Sequence, residues 1–104
     1  MNLLLRQFVA VAESGSITAA ARALGVTQPT LTVNMHKLEE QWGMPLLKRS
    51  AQGVTLTSYG ETLLESAKLM QRLLDNTKAA MEEERDRSER SLSLACGYTW
   101  WTVF

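Results

Sequence analysis

The chemistry available to this sequence is concentrated in the short polar side chains that follow Thr27. An amide can pair with an adenine edge, hydroxyls can bond to several base edges, and small apolar groups can contact a thymine methyl. Side chains of this kind suit a DNA major groove, although an ordinary solvated helix face has a similar composition. The side chains concerned are Gln28, Pro29, Thr30, Thr32 and Val33.

Enzymatic and metal chemistry are not indicated by the other residues. His36 is the only histidine and Cys96 the only cysteine, so the sequence has no histidine cluster and Cys96 has no histidine near it in sequence. Glu39 and Glu40, like residues 82–84, are neighbours on predicted helices, and neighbouring helical positions point in different directions. Neither a P-loop nor a GxGxxG motif is present. We therefore expect no enzyme activity, no metal and no cofactor.

The polar stretch is predicted to form a helix from Thr27 to Trp42. Thr27 is a suitable N-cap, and Pro29 falls in the first turn, where backbone N–H groups lack intrahelical partners. Apolar residues recur at helical spacing, which predicts that the helix is anchored through one face. We expect Trp42 to lie in the core with Phe8 of an earlier helix. The apolar positions are Leu31, Met35, Leu38 and Trp42.

Two further helices are predicted before this one. The first covers about residues 1–13, and the second begins at the suitable N-cap Ser16 and ends at Leu24. Gly25 stands where a left-handed residue commonly ends a helix. Two helices joined by so tight a glycine-containing turn predict a helix-turn-helix at about residues 18–37.

Two short strands are predicted after the polar helix, at residues 46–49 and 54–56, joined by a turn at residues 50–53. Gly53 is free to take a positive φ in that turn. A lone two-stranded ribbon is marginally stable in water, so its apolar side chains must pack on the helices as a wing. Lys48 and Arg49 are placed to contact phosphates beside a groove, or alternatively to solubilise an exposed strand edge.

Residues 58–89 contain no proline and a single glycine, Gly60, and they predict a long helix capped by Thr57. Its apolar positions repeat every 3.5 residues on average, which is typical of a seam between two helices. A small domain cannot cover so long a stripe, so the simplest partner is a second copy; a single solvated helix is the alternative. The predicted seam is Leu63, Ala67, Met70, Leu74, Thr77 and Met81.

An ordered set of residues between about Leu4 and Leu64 resembles the N-terminal winged helix-turn-helix of LysR-type transcriptional regulators. The resemblance implies a mainly α fold, with a three-helix winged helix-turn-helix and a short two-stranded wing in residues 1–59. A long linker helix for dimerisation follows over residues 58–89. The matching residues are Ala20-Ala21, Leu24, Thr27-Gln28-Pro29, Leu31-Thr32, Leu38-Glu39-Glu40, Gly43, Pro45-Leu46-Leu47, Arg49, Val54, Leu56-Thr57 and Gly60.

The resemblance also implies a function, namely sequence-specific regulation of transcription by a homodimer on a dyad-symmetric DNA operator. Family members often carry Arg where this chain has Val33, which cannot make a bidentate guanine contact. Rival interpretations are a homodimeric interaction module that does not bind DNA, and a small enzyme. Candidates for phosphate contacts are Ser16, Thr18, Arg22, Asn34, His36, Lys37, Lys48, Arg49 and Ser50.

Charge is distributed unevenly although the net charge of the chain is zero. Residues 1–60 carry five cations and three anions, a net +2, whereas residues 61–90 carry six cations and eight anions, a net −2. Phosphate contacts respond to local charge, because screening limits exposed charges to a Debye length of about 8 Å. The positive half is therefore the half predicted to meet DNA.

Residues 91–104 change character, with strand-like alternation followed by β-forming residues. We expect the opening strand of an effector-binding domain absent from this chain, or a disordered tail; a tail that packs on the dimer is the alternative. Tetramers and a small-molecule inducer are implied only through that domain. The lone Cys96 fits a reducing cytoplasm. No apolar run approaches the roughly 20 residues needed to span a bilayer, so no membrane partner is expected.

Overall fold

The computed structural model describes the backbone of residues 2–95 and the side-chain environments of residues 2–89. The chain divides into two units after Gln71, the first with three helices, two strands and the start of a fourth helix, the second with the continuation of that helix. The mainly α winged helix-turn-helix predicted from sequence is confirmed. In chain order the elements are α1 (Leu3–Ser14), α2 (Ile17–Leu24), α3 (Gln28–Trp42), β1 (Leu47–Ser50), β2 (Gly53–Leu56) and α4 (Ser58–Ala95).

Local capping explains where the helices begin and end. Ser16 Oγ accepts the Ala19 N–H at 3.1 Å, and Thr27 Oγ1 accepts the Thr30 N–H at 3.3 Å, as the sequence predicts. Gly25 ends α2 with φ 72°, in the left-handed region that glycine tolerates best. The starts of α2 and α3 and the end of α2 are therefore set by residues directly beside those positions in the sequence.

The core of the first unit lies between α1, α2, α3, the wing and the start of α4. Phe8 is completely buried, as predicted, but Trp42 is 50% exposed, so its predicted core position is wrong. Trp42 keeps the phase of the apolar face of α3 but is the last residue of that helix, beyond the part that the core covers. The largest fully buried side chains are Phe8, Val11, Leu31, Met35 and Leu38.

The two strands pair antiparallel, with Leu47 opposite Leu56 and Ser50 opposite Gly53. The first strand begins one residue later than predicted, because Leu46 is buried in the core rather than placed in the ladder. Hydrogen bonds anchor the wing to the turn between α1 and α2 and join the two residues that flank it. The Val54 N–H donates to the Gly15 carbonyl at 3.0 Å, and the Thr57 N–H donates to the Leu46 carbonyl at 3.0 Å.

Close backbone approaches explain two of the glycines. A Cβ on Gly53, which has φ 123°, would lie 2.6 Å from the Gly15 carbonyl oxygen. A Cβ on Gly60, which is helical, would overlap the Leu46 carbonyl. The wing therefore approaches Gly15, and the start of α4 approaches Leu46, at distances that only glycine permits.

The predicted cap of α4 is present, since Thr57 Oγ1 accepts the Gly60 N–H at 3.0 Å. Two residues of the predicted dimer seam, Leu63 and Ala67, are instead 7% and 0% exposed within the core of their own chain. Their assignment to the dimer interface is therefore corrected: this part of the stripe serves the first unit. Residues 91–95 continue the helix rather than starting a strand, because alternating Ser and Leu also permit a helix. The remaining predicted strand, residues 96–104, lies outside the described residues.

Candidate nucleic-acid interface

The surface of α3 is divided into a buried and an exposed side. Leu31, Met35 and Leu38 are buried, whereas Val33 is 52% exposed. Thr32 is half-buried at the edge between the two sides. The exposed side therefore includes four of the five residues that sequence reasoning assigned to base edges, which are Gln28, Pro29, Thr30 and Val33.

Hydrogen bonds at the start of α3 join its cap to the exposed side. The Thr27 and Thr30 hydroxyl oxygens are 2.8 Å apart, and the Thr30 backbone N–H donates to Thr27 Oγ1. The Thr30 side chain is therefore held against the cap residue. Gln28 has no side-chain hydrogen bond within residues 2–89, so its amide is free to bind a partner outside the chain.

The wing meets the exposed side of α3 through Arg49. Its Nη2 donates to Thr32 Oγ1 at 3.1 Å, and both side chains lie at the surface. One guanidinium carries five N–H donors in a planar fork, so this bond leaves others available to a phosphate. The structure thus brings together one predicted base-edge residue and one predicted phosphate-binding residue. Lys48, its neighbour on β1, is exposed and makes no such bond among the described side chains.

Asn34 is held from the opposite side, by α1. Its Nδ2 donates to Gln7 Oε1 at 2.8 Å, and Gln7 is only 3% exposed. A buried amide is costly unless it is hydrogen-bonded, so this contact fixes the half-buried Asn34 side chain and leaves it only part of its polar atoms for a phosphate. Sequence reasoning missed Gln7, because a single glutamine within an apolar helix has no local pattern that distinguishes it from a solvated residue.

The other predicted phosphate contacts fall into two groups. Ser16 caps α2, and Ser50 stabilises the wing turn by accepting the Gln52 N–H at 3.2 Å, so both hydroxyls already have structural roles. The second group is exposed and has no hydrogen bond or ion pair from its side chains within residues 2–89. Its members are Thr18, Arg22, His36, Lys37 and Lys48.

A shallow groove runs along the exposed side of α3. Its lining combines apolar groups with an amide and an ammonium, which is the mixture that contacts with base edges and phosphates require. The residues that line it are Pro29, Thr30, Val33, Asn34 and Lys37.

The described residues form neither a candidate metal site nor a membrane-spanning helix. Within residues 2–95 no three His, Cys, Asp or Glu side chains come together in a way that suits a metal ion. Across the same residues, none of the helices has an apolar stretch long enough to cross a bilayer.

Comparison with known proteins gives matches over the same region. Residues 3–61 match the family described as bacterial regulatory helix-turn-helix protein, lysR family. The transcriptional regulator TfdS of Cupriavidus pinatubonensis is 45% identical over 84 residues, covering 77% of this chain and 28% of TfdS. The transcriptional regulator BudR of Klebsiella aerogenes is 46% identical over 81 residues, covering 78% of this chain and 54% of BudR. The chain thus spans only about a quarter to about half of the length of such relatives.

Solved structures with the same fold include protein–DNA complexes. BenM_DBD in complex with benA site 1 DNA is 34% identical, with a TM-score of 0.74 over 80% of this chain and 98% of that chain. The CbnR_DBD–DNA complex is 39% identical, with a TM-score of 0.66 over 82% of this chain and 94% of that chain. The similarity therefore covers nearly the whole of both solved chains.

Proposed function

This chain belongs to the lysR family of bacterial regulatory helix-turn-helix proteins, and we propose that it regulates transcription by binding a dyad-symmetric operator as a homodimer. In this proposal α3 enters the major groove and presents Gln28, Pro29, Thr30, Thr32 and Val33 to base edges. Arg49 contacts the phosphate backbone beside the groove from the wing. The other predicted phosphate contacts hold the module in register on the duplex.

The observation that carries the proposal is the division of α3 into a leucine side that is buried and a threonine-rich side that is exposed. In a helix-turn-helix domain, the helix that enters the major groove is held by the domain through one side and contacts base edges with the other. The DNA complexes of BenM_DBD and CbnR_DBD, which have the same fold and are 34% and 39% identical to this chain, support DNA as the partner.

Homodimerisation is supported by apolar side chains that α4 leaves exposed. Beyond the part of α4 that packs in the core, Met70, Leu74 and Met81 are all exposed. In the second unit the last two line an apolar surface with Thr77. Exposed apolar surface of this extent on a single helix indicates contact with another protein surface.

The spacing along α4 favours an antiparallel arrangement of two copies. A surface of the first unit, formed by Trp42, Met44, Leu46 and one side of α4, is also apolar and open. Its α4 residues stand at mirror-image positions to those of the second-unit surface, with Arg72 midway. The exposed mirrored pairs are Tyr59 with Arg85, Thr62 with Glu82, Ser66 with Lys78 and Met70 with Leu74.

In an antiparallel pair of α4 helices, each apolar surface would lie against the other one of a second copy, as an isologous interface requires. We propose that the two α3 helices of the dimer meet half-sites about one helical turn of DNA apart. The dimer and the dyad symmetry of the operator are thus parts of the same proposal.

Selection from a pool of randomised duplexes tests the proposal. We expect enrichment of an inverted repeat, and an affinity for it that falls steeply with salt as counterions are released. A homodimeric interaction module that does not bind DNA is the second candidate, favoured by the apolar surface of α4 and the zero net charge of the chain. It predicts no enriched sequence and no salt-dependent binding to any duplex.

A further inference from the structure

The bond between Arg49 and Thr32 fixes which hydrogen-bonding role remains to the Thr32 hydroxyl. A guanidinium group has only donors, so in the 3.1 Å contact Thr32 Oγ1 must be the acceptor. A hydroxyl has one proton to donate, and that proton must point away from Arg49. The direction of this bond follows from the chemistry of arginine and does not depend on where hydrogens are placed.

The Thr32 proton has no acceptor in the protein among residues 2–89. Two threonines of α4 differ in this respect, because their hydroxyls donate to the carbonyl four residues earlier. Thr62 donates to the Ser58 carbonyl at 3.1 Å, and Thr77 donates to the Leu73 carbonyl at 2.7 Å. Thr32 makes no such bond, so its proton is available at the edge of the exposed side of α3.

We propose that Thr32 is a specificity-determining residue that reads a hydrogen-bond acceptor on a base, and that Arg49 is the positioning residue that commits it to this role. This inference rests on the proposed function, because it requires α3 to lie in a major groove. Donation from a cation to Oγ1 also polarises the hydroxyl and makes its proton a stronger donor.

The bases that can receive the Thr32 proton are determined by the atoms that each base exposes in the major groove. Guanine offers N7 and O6, adenine offers N7 and thymine offers O4, and all of these atoms are acceptors. Cytosine offers only its amino donor there, so it is the one base that cannot receive the Thr32 proton. We therefore expect one position in each half-site at which cytosine is disfavoured.

The experiment compares base preferences of the full chain and four variants by selection and by competition binding. Thr32→Val removes the hydroxyl, Thr32→Ser retains it, and Arg49→Met removes the guanidinium. Thr55→Val is the matched control, because it removes an exposed threonine hydroxyl on β2 that has no assigned role in binding or dimerisation. Folding of each variant is checked by circular dichroism. Preferences are compared as ratios between duplexes, so that a uniform loss of affinity cancels.

We expect Thr32→Val and Arg49→Met to relax the exclusion of cytosine at the same position by about five-fold, the effect of one ordinary hydrogen bond. Thr32→Ser and Thr55→Val should retain the native preference. Replacing the preferred base at that position by a 7-deazapurine, or by 5-methyl-2-pyrimidinone for thymine, should weaken native binding and leave Thr32→Val nearly unaffected.

Several outcomes overturn the inference, and they can be told apart from failure of the proposed function. If the native chain selects a motif that Thr32→Val leaves unchanged at every position, Thr32 does not read a base. If Arg49→Met alters a different position from Thr32→Val, Arg49 does not act through Thr32. If the native chain selects no motif and binds no duplex, the proposed function fails and the inference fails with it.

Discussion

Glu39, in the second half of α3, accepts the backbone N–H of Leu46 through Oε2 at 2.8 Å. The same oxygen accepts the Leu47 N–H at 3.2 Å. The Glu39 carboxylate therefore joins α3 to the residues at which the wing begins. Since the wing also meets α3 through Arg49, the two parts of the candidate DNA surface are joined at two separate points.

Replacing Glu39 with Ala should destabilise the fold. The Leu46 and Leu47 N–H groups would lose their acceptor at a partly buried position, which costs about 1–3 kcal/mol for a group left unpaired. Urea unfolding measures the difference. Glu40→Ala is the matched control, because Glu40 is exposed and has no hydrogen bond or ion pair within the described residues. Equal midpoints for the two variants would contradict the assignment.

Gly60→Ala should also destabilise the fold, although alanine is the better helix former. An exposed helical Gly→Ala change is expected to stabilise by roughly 0.5–1 kcal/mol. Here the added Cβ would overlap the Leu46 carbonyl, and relief of that overlap requires α4 and the wing to separate. We expect a loss of about 1–3 kcal/mol, as for other overpacked sites. A gain in the thermal midpoint would show that the close approach is not maintained in solution.

Leu74→Glu should prevent the proposed homodimer from forming and leave a monomer. A charge at the centre of the proposed seam would be buried without a partner, which opposes association strongly. Analytical ultracentrifugation over a range of concentrations gives the change in association constant. Asn76→Glu, at an exposed position of α4 outside the apolar surface, is the control and should remain dimeric. A dimeric Leu74→Glu variant would place the contact elsewhere.

Phe8→Ala and Trp42→Ala should have very different effects on the stability of one protomer. Truncation of a fully buried phenylalanine typically costs about 3–5 kcal/mol, whereas an aromatic residue half-exposed at a helix end should cost much less. Because association would add to stability, the comparison is made in the monomeric Leu74→Glu background. Similar unfolding midpoints for the two variants would show that Trp42 is part of the core.

The sequence predicts features of this fold that depend on neighbouring residues. The caps at Ser16 and Thr27 and the stops at Gly25 and Gly43 each act within one turn of their helix, so the helix boundaries follow from local chemistry. The resemblance of the residues between Leu4 and Leu64 supplies the wing.

Features set by contacts between distant residues were missed or misassigned. Gln7 and Glu39 have ordinary surface identities, and their roles arise only because α1 and the wing approach α3. The regular spacing of apolar residues in α4 correctly predicts an apolar stripe along that helix. Periodicity cannot tell which part of such a stripe is covered by its own chain, and Leu63 and Ala67 proved to be that part.

The salt dependence of DNA binding by Arg49→Ala tests the central claim most directly. Each phosphate contact contributes a slope of about 0.9 in a plot of log K against log salt. We predict that Arg49→Ala lowers the slope by about that amount for each Arg49 in the complex. Arg6→Ala removes an exposed cation of α1 outside the candidate interface and should leave the slope at its native value. An Arg49→Ala variant that binds with the native slope would contradict the claim that the wing holds the DNA backbone beside α3.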